Sequence, residues 1–151
     1  MGLKVGDEIP DFTLIDQFGE VFDSANYKGK KPMVIYFYPK DDTPGCTKEA
    51  CSFRDSYEQF KDLGVEVIGI SSDDQKSHYN FAEKYKLPFI LLADNKGEVR
   101  KAFNVNKHLF ILPGRETYVV DSKGKIIMVF NSMGASGHIR EALKAIQSIK
   151  L

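Results

Sequence analysis

The run Met33-Val34-Ile35-Tyr36-Phe37-Tyr38 constrains this chain more than any other stretch. Its length, its apolar and aromatic composition and the lack of alternation suit a fully buried strand, and Pro39 stops it. A helix-like pattern follows in Lys40-Asp41-Asp42-Thr43-Pro44-Gly45-Cys46-Thr47-Lys48-Glu49-Ala50-Cys51, which holds both cysteines of the protein. Thr43 is a good N-cap, Pro44 suits the first helical position, and Cys46 then falls at the third, where a capping-box carboxylate would otherwise sit. Unpaired backbone N–H groups and the positive end of the helix dipole favour negative charge there. Cysteines so placed have pKa values lowered from about 8.5 to roughly 3.5–7.5. Cys46 is therefore the candidate nucleophile.

With 151 residues, 42% hydrophobic and 28% charged, the chain has enough material for one substantial core and is read as one domain, 1–151. Lys plus Arg and Asp plus Glu number 21 each with no basic block, so no electrostatic case for nucleic acid or an anionic membrane exists. The start, Met1-Gly2-Leu3-Lys4-Val5-Gly6-Asp7, carries no apolar signal core, and no stretch approaches the roughly 18–20 apolar residues that span a bilayer. A soluble protein with no membrane partner is expected.

In chain order, Phe12-Thr13-Leu14-Ile15 and Val21-Phe22-Asp23-Ser24 flank a glycine turn and read as a hairpin. After the cysteine helix, Leu63-Gly64 is a stop and 65–70 a strand, which implies a parallel crossover. Ser71-Ser72-Asp73-Asp74 caps a second helix bearing His78, Phe81, Ala82 and Tyr85, which Pro88 prevents from continuing. Phe89–Leu92 is short and apolar, and Val99, Ala102 and Phe103 form one face of a brief helix. Residues 116–120 and 126–130 surround Asp121-Ser122-Lys123-Gly124 as a second hairpin. Ile139, Ala142, Leu143, Ile146 and Ile149 trace a closing amphipathic helix after a Ser136 cap. The order predicts an α/β protein with a mixed central sheet flanked by helices, similar to the thioredoxin fold with an added N-terminal β-hairpin. Redox chemistry in that fold sits where the first core strand meets its helix, the place Cys46 occupies.

Pro39, Thr43 and Cys46 fit P-x-x-x-T-x-x-C, the peroxidatic motif of the peroxiredoxins. Arg115, in Pro113-Gly114-Arg115-Glu116-Thr117-Tyr118-Val119-Val120-Asp121, resembles their active-site arginine before a strand. The stretch from Tyr38 to Cys51, with a second cysteine five residues on, resembles the Q-type or bacterioferritin-comigratory-protein subfamily, as does nearly the whole chain from Val5. The resemblance implies reduction of hydrogen peroxide or organic hydroperoxides by a cysteine thiolate without metal, haem, flavin or other cofactor. Cys46 would become a sulfenic acid that Cys51 resolves as a disulfide. Arg115 would donate to sulfur and peroxide, Thr43 would hydrogen-bond the same centre, the N–H groups of Gly45 and Cys46 would complete the site, and Pro39 would shield it. Glu49, one turn beyond Cys46, is a candidate to orient Arg115. The same resemblance implies thioredoxin or a similar thiol as reductant, and a monomer. Two reducible thiols fit a reducing compartment, the cytosol first and a plastid as alternative, because 109–115 also resembles plant Q-type sequences.

The competing readings have less support. His78, His108 and His138 are far apart in sequence, without the close pairs of zinc sites, and a thioredoxin-type oxidoreductase would need C-x-x-C in place of the observed C-x-x-x-x-C. A peroxide sensor that passes oxidation to a client protein uses the same residues. Helix periodicity puts Ala50, Phe53, Tyr57 and Phe60 on the Cys46 side as a buried stripe and Asp55, Glu58 and Asp62 on the side of Cys51. Opening of about Thr43 to Phe53 is therefore expected before the two sulfurs can join.

Overall fold

Met33–Phe37, the heart of the apolar run, is a strand whose five residues are all buried in a computed structural model of the chain. The structure describes residues 3–105, 107–108, 112–113, 115–132, 134 and 137–149. In order the elements are β1 (Thr13–Asp16), β2 (Val21–Asp23), a 3-10 turn (Ser24–Asn26), β3 (Met33–Phe37), α1 (Pro44–Asp55), α2 (Tyr57–Asp62), β4 (Glu66–Ser71) and α3 (Gln75–Tyr85). There follow β5 (Ile90–Ala93), α4 (Glu98–Ala102), β6 (Lys107–His108), β7 (Leu112–Pro113), β8 (Glu116–Val120), β9 (Ile126–Asn131) and α5 (His138–Ile149). The expected Ser136 cap, Gly114 and residues 109–111 lie outside the described residues.

Seven strands form one sheet in the order β2-β1-β5-β4-β3-β8-β9. β3, β4 and β5 are parallel neighbours, and β8 and β9 continue the sheet antiparallel from β3. This is the mixed α/β, thioredoxin-like arrangement. The N-terminal hairpin is not merely an addition to it: β1 pairs antiparallel with β5 through Ile15↔Ala93 and Asp16↔Leu92, so the hairpin extends the sheet at its far edge. The two-residue ladder of β6 and β7 had no sequence signal strong enough to announce it.

Alternation along β3 divides two cores. Val34 and Tyr36 face Ala50, Phe53, Phe60, Phe81, Ala142 and Ile146 of the helices. Met33, Ile35 and Phe37 face Phe103, Tyr118, Val120 and Ile126 on the other side. The stripe expected on the cysteine helix is present, with Ala50, Phe53 and Phe60 fully buried, Tyr57 half-buried and Asp55, Glu58 and Asp62 exposed. Its helix is broken, however. Ser56 leaves helical geometry (φ −102°, ψ 1°), dividing the pattern into α1 and α2. Gly64 stops α2 at φ +76°, with the Val65 N–H closing on the Phe60 carbonyl as a glycine-dependent helix stop requires. Among the described residues no helix is long and apolar enough to cross a membrane.

Candidate active site

The end of β3 and the start of α1 place Cys46 at the third helical position, as the Thr43-Pro44 signal requires. Cys46 is buried, Cys51 is half-buried, and both are free thiols. Thr43 occupies the N-cap with extended backbone (φ −94°, ψ 156°), but its side chain does not cap. Its hydroxyl donates instead to the Lys40 carbonyl at 2.9 Å, which closes the Lys40–Thr43 turn and commits the proton that a thiolate would receive. Pro39 is half-buried where the loop leaves β3.

Arg115, immediately before β8 and only 4% exposed, reaches across to α1. Its Nη2 lies 3.4 Å from Cys46 Sγ and its Nη1 donates to Glu49 Oε1 at 2.5 Å. The Glu49 partnership anticipated from one helical turn of spacing is thus present. Burial works against the Arg115 charge, but Glu49 and the Cys46 sulfur outweigh it and hold the guanidinium above its ordinary value. A Cβ at Gly45 would stand 3.0 Å from Arg115 Nη2, so a larger residue there would make the guanidinium give way by a few tenths of an ångström. The arrangement gathers a buried sulfur, a helix N-terminus and a fixed cation, which is the equipment for holding a thiolate and stabilising charge as a bond to sulfur forms.

Several supporting residues carried no sequence signal. Asp41, in the loop between β3 and α1, accepts from the Tyr38 hydroxyl at 2.6 Å and from the Ser77 hydroxyl at 2.8 Å, and lies 2.7 Å from His78 Nδ1. His78 Nε2 faces the Leu92 carbonyl at 2.8 Å. A carbonyl only accepts, so Nε2 is the donor there, and Nδ1 is the ring nitrogen turned to the Asp41 carboxyl. This buried network ties the loop to α3. Arg100 donates to the Tyr38 carbonyl at 3.0 Å with its guanidinium over the Phe37 ring, fixing the strand end from which the loop departs. None of these pairs has a regular spacing, so only the fold brings them together.

The model of the AhpC/TSA family matches residues 5–129. The chain belongs to the AhpC/TSA family. A chloroplastic peroxiredoxin Q of Sedum lineare is 54% identical over 147 residues, covering 96% of this chain and 78% of its own. One from Populus jackii is 53% identical, covering 95% and 68%. Among solved structures, peroxidoxin BcpB from Mycobacterium tuberculosis superposes with a TM-score of 0.91 at 35% identity over 99% of both chains. The bacterioferritin comigratory protein of Xanthomonas campestris, described for alkyl peroxide reduction, gives 0.87 at 28% identity over 96% and 98%. This peroxiredoxin is accordingly of the Q type and is a thiol-dependent peroxidase.

Proposed function

We propose that Cys46 is the peroxidatic cysteine, that Cys51 resolves it, and that a thioredoxin-like dithiol protein restores both thiols. The observation that carries this reading is the 3.4 Å approach of Arg115 to a buried sulfur in the first turn of α1. The Cys46 thiolate attacks the terminal oxygen of ROOH, an S–O bond forms as the O–O bond breaks, and the leaving alkoxide takes a proton to become ROH, or water when R is H. Arg115 and the Gly45 and Cys46 N–H groups stabilise the developing charge, and Pro39 keeps bulk water from the loop. The Cys51 thiol then condenses with the sulfenic acid, releasing water and forming the intramolecular disulfide. Hydrogen peroxide and organic hydroperoxides both fit such a site, since the reacting atoms are the same, and the reading includes a monomer. The cytosol is the first compartment on this reading. The chloroplastic relatives support a plastid as the alternative.

Peroxide-dependent NADPH oxidation coupled through thioredoxin and its reductase tests the proposal, with glutaredoxin and glutathione as comparison reductants. Sustained turnover is expected with thioredoxin. A single turnover ending in a stable mixed disulfide with a client protein would instead establish a peroxide relay. Arg115→Ala should slow peroxide oxidation by about 10²–10³-fold, the usual cost of removing one charge-stabilising donor, and should lower the thiolate absorbance at a given pH. Stopped-flow fluorescence and ultraviolet titration read the two effects. Cys51→Ser should leave the first oxidation at its wild-type rate and accumulate sulfenic acid, read as a dimedone adduct on Cys46. Loss of that first oxidation would remove Cys51 from the resolving role.

A further inference from the structure

Behind Arg115 the network continues into groups that the peroxidase chemistry leaves unused. Glu49 Oε1 is taken by Arg115, while Oε2 is buried and accepts no hydrogen bond among the described residues. That oxygen lies 3.5 Å from Nδ1 of His138, the first residue of α5, and both side chains are fully buried. His138 is fixed at both ends: Nε2 is 2.9 Å from the Ser132 carbonyl and Nδ1 is 2.7 Å from the Thr117 hydroxyl on β8. The carbonyl only accepts, so Nε2 carries the proton and Nδ1 presents a lone pair, to which Thr117 donates. A carboxylate oxygen therefore faces an imidazole lone pair with no proton between them. Glu49 Oε2 is the unmet group of the pair, and a proton placed on it would point at the lone pair that Thr117 already holds.

We propose that His138 is a positioning residue of the peroxidase reaction: held by Thr117 and Ser132, it shares one proton with Glu49, and the state of Glu49 decides how firmly Arg115 is held against Cys46. The inference rests on Cys46 being the peroxidatic thiol. The charged and titratable groups around the pair are Arg115 before β8, Cys46 in the first turn of α1 and Tyr36 on β3, while Phe130 of β9 closes edge-on against the imidazole, 4.8 Å between centroids. Burial, opposed by Arg115, lifts the Glu49 carboxyl to about 7. Burial, reinforced by Arg115 and opposed by the Ser132 carbonyl, lowers His138 to about 4. The proton consequently resides on Glu49 and is donated to Nδ1, where it competes with the Thr117 hydroxyl for the single lone pair. Ionised Glu49 pins Arg115 with its second nitrogen on the sulfur. Protonated Glu49 loosens that grip, so oxidation of Cys46 slows as pH falls through the Glu49 midpoint.

The test is an infrared titration of the protonated Glu49 carbonyl band, identified by its loss in Glu49→Gln, beside the pH profile of Cys46 oxidation by hydrogen peroxide. The wild-type band should titrate near pH 7, with a step in rate at the same pH. His138→Asn offers an amide N–H to Oε2, favours the carboxylate and should move both midpoints down by about one pH unit. Thr117→Val keeps the shape, removes the competitor for Nδ1 and should move both upward. In Glu49→Gln the rate step should vanish, and adding His138→Asn should change the profile no further. Unmoved midpoints in both variants, shifts of the same sign, or an undiminished His138→Asn effect in the Glu49→Gln background would overturn the proposal. If His138→Asn does not fold, the nearly isosteric Thr117→Val decides the matter. The infrared band needs no peroxide, so an unreactive Cys46 would overturn the nucleophile assignment and the rate consequence, while the proton sharing would still be judged on the midpoints.

Discussion

Cys46→Ser should bring peroxide consumption down to the uncatalysed background, with no dimedone-reactive species and no thioredoxin-dependent NADPH oxidation. The expectation follows from the chemistry of the site. A serine hydroxyl is not ionised beside Arg115 at neutral pH and its oxygen does not accept oxygen from a peroxide, so neither Arg115 nor the helix N-terminus has a nucleophile to stabilise. Cys51 cannot substitute. It lies half-buried on α1, five residues beyond the sulfur that Arg115 Nη2 approaches to 3.4 Å. The replacement is close to isosteric at a buried position, so thermal unfolding should stay within a few degrees of wild type. A folded Cys46→Ser protein that consumes peroxide at the wild-type rate would sink the assignment.

The parts of this fold legible in the sequence are those governed by local rules. The apolar run suited a buried strand and is one, Pro39 and Pro44 bracketed the loop, and Cys46 occupies the third helical position that Thr43 and Pro44 specify. Thr43 illustrates the limit of such rules, because its residue type predicts a capping side chain and the neighbouring Lys40 carbonyl takes the hydroxyl instead. The break at Ser56 was hidden because the apolar spacing from Phe53 to Phe60 carries on across it. Pairings such as Glu49 with His138, Asp41 with His78 and β1 with β5 join residues tens of positions apart, and no periodicity encodes them. Sequence pattern thus located the candidate nucleophile, whereas the residues that hold its surroundings became visible only when the chain was closed into a sheet.

On oxidation the first part of α1 should unwind. Cys46 and Cys51 lie on one unbroken helix, Pro44–Asp55, and both are free. Residues five apart on such a helix rise about 7.5 Å and rotate by roughly 140°, which puts their Cα atoms about 8–9 Å apart. A disulfide needs about 7 Å or less, so the bond cannot form without loss of helical geometry. The anchors indicate where the opening stops. Phe53 is stacked on Tyr36 at 4.6 Å and packs against Phe60 and Phe89, and exposing it would cost about 1.5–3 kcal/mol. Arg54 donates to the Tyr85 carbonyl at 2.8 Å and ties the last turn to α3. The first turns are tied through Arg115, whose hold on Cys46 is lost once the sulfur is oxidised and bonded elsewhere, so that opening has to part only the Glu49–Arg115 pair and unpack the small Ala50 side chain. On the other side of the segment, Asp42 is held by Lys84 and Tyr85 at 2.9 and 2.8 Å, which fixes the loop before it. The segment from Thr43 to Ser52 is therefore the part free to rearrange, with Asp42 and Phe53 as its fixed ends, and its opening carries the disulfide outward to a reductant. Hydrogen exchange followed by mass spectrometry should show amides in this segment losing about 10²-fold or more of their protection on oxidation, equivalent to about 2.7 kcal/mol of local stability, while β3, β4 and β8 keep theirs. An oxidised Cys46–Cys51 protein with full protection across 43–52 would refute this account.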